Sequence, residues 1–322
     1  MITTMAIIET SELTKKFNDL VAVDEMTLSI DREIFGLLGP NGSGKTTTVK
    51  MLTTLLTPTS GEATVCGHSV TAQPSKVRDR ISYVPQDMAV DMKLTGRENV
   101  IFFANLYGIP RPRETADEAL AQMDLASRAD DMVKTYSGGM RRRLELAQAL
   151  VHDPEVLFLD EPTIGLDVAG RRKIWEHIIS LKNGGMTVFV TTHYMDEADH
   201  ACGRVGIIDK GKIVALDTPA ALKSLHCHEI IAIRGEGEYK GTVVPDVTFI
   251  GKTGDELRFQ AISGEDSGIP LLQALNESGM KIHSFVIRQP TLDDVFLSLI
   301  GEQEETMAFD HHRFRTMLRR RA

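Results

Sequence analysis

Between Gly39 and Thr47 the chain reads Gly-Pro-Asn-Gly-Ser-Gly-Lys-Thr-Thr, a glycine-rich stretch that ends on an ammonium and two hydroxyls. Gly39, Gly42 and Gly44 let the backbone curl around Pro40, Asn41 and Ser43 until successive N–H groups converge on an anion. Lys45 is suited to neutralise terminal phosphates, the Thr46 hydroxyl to ligate Mg²⁺, and Thr47 closes the loop. A second centre lies far along the chain, where Asp160 follows the apolar run Val156-Leu157-Phe158-Leu159 and Glu161 follows directly. A carboxylate at the end of a buried strand completes a metal shell, and its neighbour can orient or deprotonate an attacking water. Together these residues point to ATP, with Mg²⁺, as the bound and hydrolysed species.

Elements are needed on both sides of each group. Ile34-Phe35-Gly36-Leu37-Leu38 reads as a short buried strand, and a helix is expected from Lys45 to about Leu55, so that its positive end adds to the anion site. Further strands are expected at Ile81–Val84, Val156–Asp160, Thr187–Thr191 and Arg204–Ile208, with helices near 95–107, 114–126, 138–152 and 168–183. This alternation predicts a mainly parallel α/β sheet covered on both faces. Residues 5–30 alternate apolar and polar, as an antiparallel flank would. Thr218-Pro219 signals a helix start, and beyond Ser224 the texture changes to strand-like runs at 229–234, 241–250, 256–261 and 281–287. One helix is expected near 268–278 and another opening at Thr291. The expected organisation is a first domain over 1–224, a small α+β domain over 225–300 and a tail over 301–322.

Composition restricts the classes. The 322 residues carry 36 Lys+Arg against 45 Asp+Glu, a net charge of −9, which argues against nucleic acid as a partner. Apolar runs such as Val100–Ala104 fall well short of the roughly 20 residues a spanning helix needs. Glu9 stands where a leader would have its apolar centre, and Cys66, Cys202 and Cys227 are scattered, so a reducing, cytoplasmic setting is expected.

Further motifs narrow the phosphate-loop class. Tyr136-Ser137-Gly138-Gly139-Met140 resembles the signature motif of ATP-binding-cassette (ABC) ATPases, with Tyr136 and Met140 replacing its usual Leu and Gln. Gln86 in Val84-Pro85-Gln86-Asp87 resembles the Q-loop, Gly165-Leu166-Asp167 the D-loop, and His193 in Thr191-Thr192-His193 the switch histidine. Phe17 stands where that family has an adenine-stacking aromatic. Six motifs in family order cover residues 5–222, and Tyr-Ser-Gly-Gly-Met followed by Arg141-Arg142-Arg143-Leu144 is similar to the daunorubicin-resistance branch of drug exporters.

The resemblance implies a P-loop ABC fold with a helical insert around 88–145, and ATP sandwiched in a homodimer with Ser137, Gly138 and Gly139 facing the other subunit's γ-phosphate. It implies metal contacts from Thr46, Gln86 and Asp160, catalytic roles for Glu161, His193 and Gln86, and a place for Asp167 beside the site. It also implies export through a separate transmembrane permease, with the chain peripheral on the inner face of the cell membrane. The alternatives are a soluble non-transport ABC ATPase and a nucleotide-dependent regulatory module; an Asn-Lys-x-Asp motif, expected of a GTPase, is absent from the sequence.

The remaining charged and metal-prone clusters read as structural. Arg141, Arg142 and Arg143 read as a solvated basic helix face. Thr291 reads as a helix cap, with Asp293 and Asp294 favouring its dipole. His226-Cys227-His228 are adjacent, so they cannot easily converge on one ion. The tail, basic over its last residues, reads as a solvated terminus, with contact to anionic lipid as the alternative.

Overall fold

The computed structural model describes residues 6–226, 229–237, 239, 241 and 244–299. The chain divides into two compact units, the first holding the chain up to Tyr194 plus Ala201–Ile213, the second Met195–His200 and everything from Val214 on.

In the first unit an antiparallel sheet is built from β1 (Ile8–Phe17), β2 (Leu20–Ile30), β4 (Ser60–Val65) and β5 (His68–Ser69), in the order β2-β1-β4-β5. Between β2 and β4 the chain contributes β3 (Ile34–Leu38) and α1 (Lys45–Leu52) to the neighbouring layer. The β1–β2 pairing carries two bulges and a third register shift between Lys15 and Lys16. Register runs Thr10↔Leu28 and then Leu13↔Met26, one extra residue on β1; it continues Lys15↔Val23, one extra on β2. Glu12 and Glu25, with φ of 50° and 49°, occupy these bulges.

The second sheet has the order β10-β9-β3-β8-β7-β6 and adds β6 (Ile81–Val84), β7 (Val156–Asp160), β8 (Thr187–Thr192), β9 (Arg204–Asp209) and β10 (Lys212–Asp217). β9, β3, β8, β7 and β6 pair in parallel. The expected parallel α/β core is therefore present. β3, β7 and β8 are buried at every position, which is why β3 and Val156–Leu159 of β7 are continuous apolar runs, while β8 buries three threonines. Phe35, Phe189 and Phe158 stack in a row, with centroids 5.3 and 5.5 Å apart. They share one core with Leu13, Val23, Met26 and Leu52 from the flank and α1.

α2 (Pro74–Arg78) precedes β6. The helical insert follows as α3 (Gly96–Leu106), α4 (Pro112–Gln122) and α5 (Gly138–Ala149). Thr95 and Glu98 form a reciprocal capping box on α3. Tyr136 is not a surface variant of the signature: it is 2% exposed, and its hydroxyl donates to Arg128 O at 2.6 Å. α6 (Val168–Asn183) leads into β8, and α7 (Met195–Ala201) follows it.

The second unit contains α8 (Pro219–His226), β11 (Glu229–Glu236), β12 (Val247–Thr253), β13 (Glu256–Ala261), α9 (Gly264–Glu277) and β14 (Lys281–Arg288). The sheet order is β12-β13-β11-β14, and Leu271 and Leu275 of α9 join Ile231, Ile233 and Phe259 in a separate core. A last helical segment spans 292–299. Thr218 caps α8 by accepting from Ala221 N at 3.2 Å. Asp294 does more than favour a dipole: it is fully buried and accepts from Arg258, Arg288, Thr291 N and the Thr291 hydroxyl. Burial works against its charged form, but the Arg288 and Thr291 bonds prevail and hold its carboxyl below the ordinary value. Cys227, His228 and the tail from 301 lie outside the described residues.

The candidate ATP site

The loop from Gly39 to Gly44 leaves β3 and enters α1, so the strand end aims it and the helix adds its N-terminal N–H groups. Close packing fixes its shape. Gly211 N donates to Ser43 O at 3.0 Å, and Gly44 sits with φ +109° against Ala22 O. Lys45, 6% exposed, donates to Gly39 O at 2.7 Å and Pro40 O at 3.1 Å and lies 3.4 Å from Glu161 Oε1. Its charge is thus held at the loop by backbone dipoles on one side and a carboxylate on the other.

A cavity of about 610 Å³ opens over this loop. Asn41, Gly42, Gly44, Lys45, Thr46 and Thr47 of the loop line it, together with Gln86, Glu161 and Phe17. Phe17 is half exposed, with the Lys15 ammonium 5.2 Å from its ring centroid. Lys210, which the sequence reading passed over, also lines the cavity. Its position at the β9–β10 turn follows from Gly211 bonding both Ser43 and Asp24, a long-range pairing with no local sequence signal.

Asp160 and Glu161 emerge from the end of β7 with distinct surroundings. Asp160 Oδ1 accepts from the Thr191 hydroxyl and from the Thr46 hydroxyl, the latter at 3.2 Å, while its Oδ2 is buried with no hydrogen-bond partner. An orphaned buried carboxylate oxygen beside a threonine hydroxyl fits a hard cation such as Mg²⁺, which binds through one or two carboxylates plus phosphate oxygens. Glu161 lies in the left-handed region at φ 50°. Its N–H donates to Thr191 O and Oγ1, both at 3.1 Å, and its Oε2 is 2.8 Å from His193 Nδ1. The carboxylate is 5% exposed, so it faces the loop lysine and His193 in a low-dielectric setting. On β6 alongside, burial and then the Asp160 carboxylate push the Tyr83 phenol well above its ordinary pKa, keeping it neutral.

Not every expected residue reaches this cavity. Ser137 caps α5 by accepting from Met140 N at 3.2 Å. Gly138 and Gly139 pack toward Leu166 and Gly170, and none of the three lines the cavity of this chain. Asp167 caps α6, accepting from Gly170 N at 2.8 Å. The arginine run departs from expectation. Arg142 is 3% exposed, with its guanidinium turned into the protein toward the ends of β6 and β7. Successive helix residues are rotated about 100° apart, so three adjacent arginines cannot share a face.

A phosphate loop leaving a central parallel strand, an acid pair on a neighbouring strand, an antiparallel flank and a capped helical insert define a P-loop ATPase of the ABC type. Comparison with known proteins agrees. Residues 23–164 match the ABC transporter family, and residues 218–300 match the C-terminal domain of DrrA1-3-like ATP-binding proteins. The daunorubicin/doxorubicin resistance ATP-binding protein DrrA of Streptomyces peucetius is 41% identical over 91% of this chain and 92% of its own length. The linearmycin resistance ATP-binding protein LnrL of Bacillus subtilis is 34% identical over 91% and 98%. Among solved structures, cbiO1 of Clostridium perfringens, part of an ABC transporter complex, has 26% identity and a TM-score of 0.64 over 69% of this chain and 92% of its own. An ATP-binding cassette in a dimeric post-hydrolysis state bound to ADP and Pi gives 26% and 0.59 over 66% and 98%. The chain belongs to the ABC transporter ATP-binding proteins, in the branch that carries the DrrA-like C-terminal domain.

Proposed function

We propose that the chain hydrolyses Mg-ATP as a homodimer and drives export of a drug-, antibiotic- or lipid-like compound through a separate permease in the membrane. The observation that carries this reading is the Glu161 carboxylate held between His193 at 2.8 Å and Lys45 at 3.4 Å, in the lining of a cavity that the phosphate loop also lines. In this reading Glu161 accepts the proton of the attacking water, and His193 holds the carboxylate in register with the γ-phosphate. Thr46, Asp160 and Gln86 would hold Mg²⁺, whose contribution is to neutralise charge on the phosphates. Phe17 offers a face for the adenine ring. Ser137, Gly138 and Gly139 at the start of α5 offer an anion site outside the lining of their own chain's cavity, which suits a γ-phosphate bound by a second copy, with Asp167 also beside that site.

Export follows the resistance proteins to which the chain is similar. Among the described residues no helix is long and apolar enough to cross a membrane, so the channel is assigned to a partner and the chain to the membrane's inner face. The test is Glu161→Gln: phosphate release is expected to fall by about 100-fold or more, while ATP with Mg²⁺ drives the variant into dimers on gel filtration. Near-normal hydrolysis by that variant would remove Glu161 from the role of base.

A further inference from the structure

Arg142 occupies an unusual position for a charged residue. Its side chain is 4% exposed and that of Glu145, one helical turn on, is 3% exposed; Nη1 lies 2.8 Å from Glu145 Oε2. The remaining donors all go to backbone carbonyls of two other segments. Nε donates to Pro162 O at 2.9 Å, Nη1 also to Pro85 O at 2.8 Å, and Nη2 to Asp160 O at 3.1 Å and, longer, to Glu161 O at 3.5 Å. Glu145 completes the arrangement by accepting from Ala89 N at 2.6 Å. The flanking arginines do something simpler: Arg141 donates to Tyr136 O and Arg143 to Met123 O.

The residues gripped are those that aim the chemistry. Glu161 N–H is held by Thr191, and the carbonyls before, at and after Glu161 are held by Arg142. With its backbone pinned on both sides, in a left-handed conformation that a non-glycine residue adopts at a cost, the Glu161 Cα–Cβ bond has one direction. Pro85 O precedes Gln86, and Ala89 N follows it by one turn of loop, so the same pair clamps the Gln86 loop at both ends. A buried ion pair is weak evidence for added stability. A planar guanidinium fork, however, fixes several acceptors in one relative geometry, which an ammonium cannot do.

We propose that Arg142 is a positioning residue for ATP hydrolysis: through the carbonyls around Glu161 and Gln86 it sets the direction of both side chains, with Glu145 holding the far end of the Gln86 loop to the same helix. The proposal rests on the reading of Glu161 as the group that activates water. Arg142 touches neither nucleotide nor water in this account, so its loss should appear in turnover and not in binding.

The experiment uses the full chain and three variants, Arg142→Lys, Glu145→Gln and Glu161→Gln. Phosphate release is measured against ATP concentration, nucleotide affinity by equilibrium binding, and folding by thermal melting. Lysine keeps the charge but cannot span the acceptors. Since a displacement of about 1 Å in a reacting group costs on the order of 100-fold, Arg142→Lys is expected to lower kcat by about 30- to 100-fold with KM within about threefold of the parent. Glu145→Gln keeps the acceptor for Ala89 N and removes the charge partner, and a kcat loss of about three- to tenfold is expected.

A kcat within twofold of the parent in Arg142→Lys overturns the proposal. So does a KM that rises by the factor kcat falls, or a loss accounted for by the unfolded fraction. If Arg142→Lys does not fold, Glu145→Gln decides: a lower kcat at unchanged KM supports positioning, and an unchanged kcat overturns it. Normal hydrolysis by Glu161→Gln removes the base and this proposal with it. An inactive Glu161→Gln beside a fully active Arg142→Lys refutes positioning alone.

Discussion

Alanine at three glycines of the phosphate loop separates space from backbone conformation. At Gly39 a Cβ would stand 2.3 Å from Ile208 O and 2.7 Å from Ser43 Oγ, with no positive φ to oppose it. Ordinary contact begins near 3.4 Å, so loop and β9 must part by about 1 Å, at a cost of about 1–3 kcal/mol for a well-packed site. At Gly42 nothing lies within 4 Å, but φ is +84°, and the cost of holding alanine there is about 1 kcal/mol. Gly44 combines both: φ +109° and Ala22 O at 2.4 Å. With about 1.4 kcal/mol per tenfold, ATP affinity should fall by about fivefold for Gly42→Ala and about 30-fold for Gly39→Ala, with Gly44→Ala the weakest binder. Equilibrium titration with a fluorescent ATP analogue measures the order directly. A Gly39→Ala protein that binds as well as Gly42→Ala would refute the claim that contact with β9 shapes the loop.

Lys45→Ala is expected to weaken ATP binding by more than about tenfold in the same titration; unchanged affinity would count against the phosphate-loop assignment. His152 is stacked on Tyr107 at 4.0 Å with Nε2 3.0 Å from Ile81 O, and burial holds its pKa below the ordinary value. Below about pH 6.5 the unfolded chain binds this proton first. Stability is therefore full above that pH and lost as pH falls toward the folded pKa; His152→Gln should melt with a shallower acid slope. Asp294→Ala removes the carboxylate of half-buried Arg288, while Arg258 keeps Glu256, and about 2 kcal/mol of stability should be lost in denaturant unfolding followed by circular dichroism.

What could be read beforehand was whatever depends on local pattern. β3 and β7 fall where their apolar runs ended, because a strand buried on both faces has few polar positions to blur it. β12 is shorter than the 241–250 run suggested and starts at Val247. Pro245 lacks an N–H and Asp246 takes φ 60°, so the run turns before it can pair. α9 begins earlier than the apolar spacing indicated, because Ser263 caps it and Glu265 and Asp266 occupy its first turn ahead of Pro270. The site was legible where residue type and order suffice, as for Lys45 and Glu161. Thr191, Arg142 and Lys210 were not, since each acts through partners at least 18 residues away in the chain or, for Lys210, through a turn packed on another strand.

The bulge at Glu12 in the β1–β2 hairpin acts as a phase setting for Phe17, which lines the cavity. Side chains alternate along a strand, so without the extra residue near Glu12, Leu13, Lys15 and Phe17 would together lie on the opposite side of the strand relative to Thr10. Removing one residue between Thr10 and Leu13 would turn Phe17 from the cavity while leaving every motif intact. A second deletion beside Glu25 would mend the pairing of the two strands but not the direction of the ring. The hairpin is thus a stretch in which length matters as much as residue type, and insertions or deletions there would silence a chain whose motifs still read as complete.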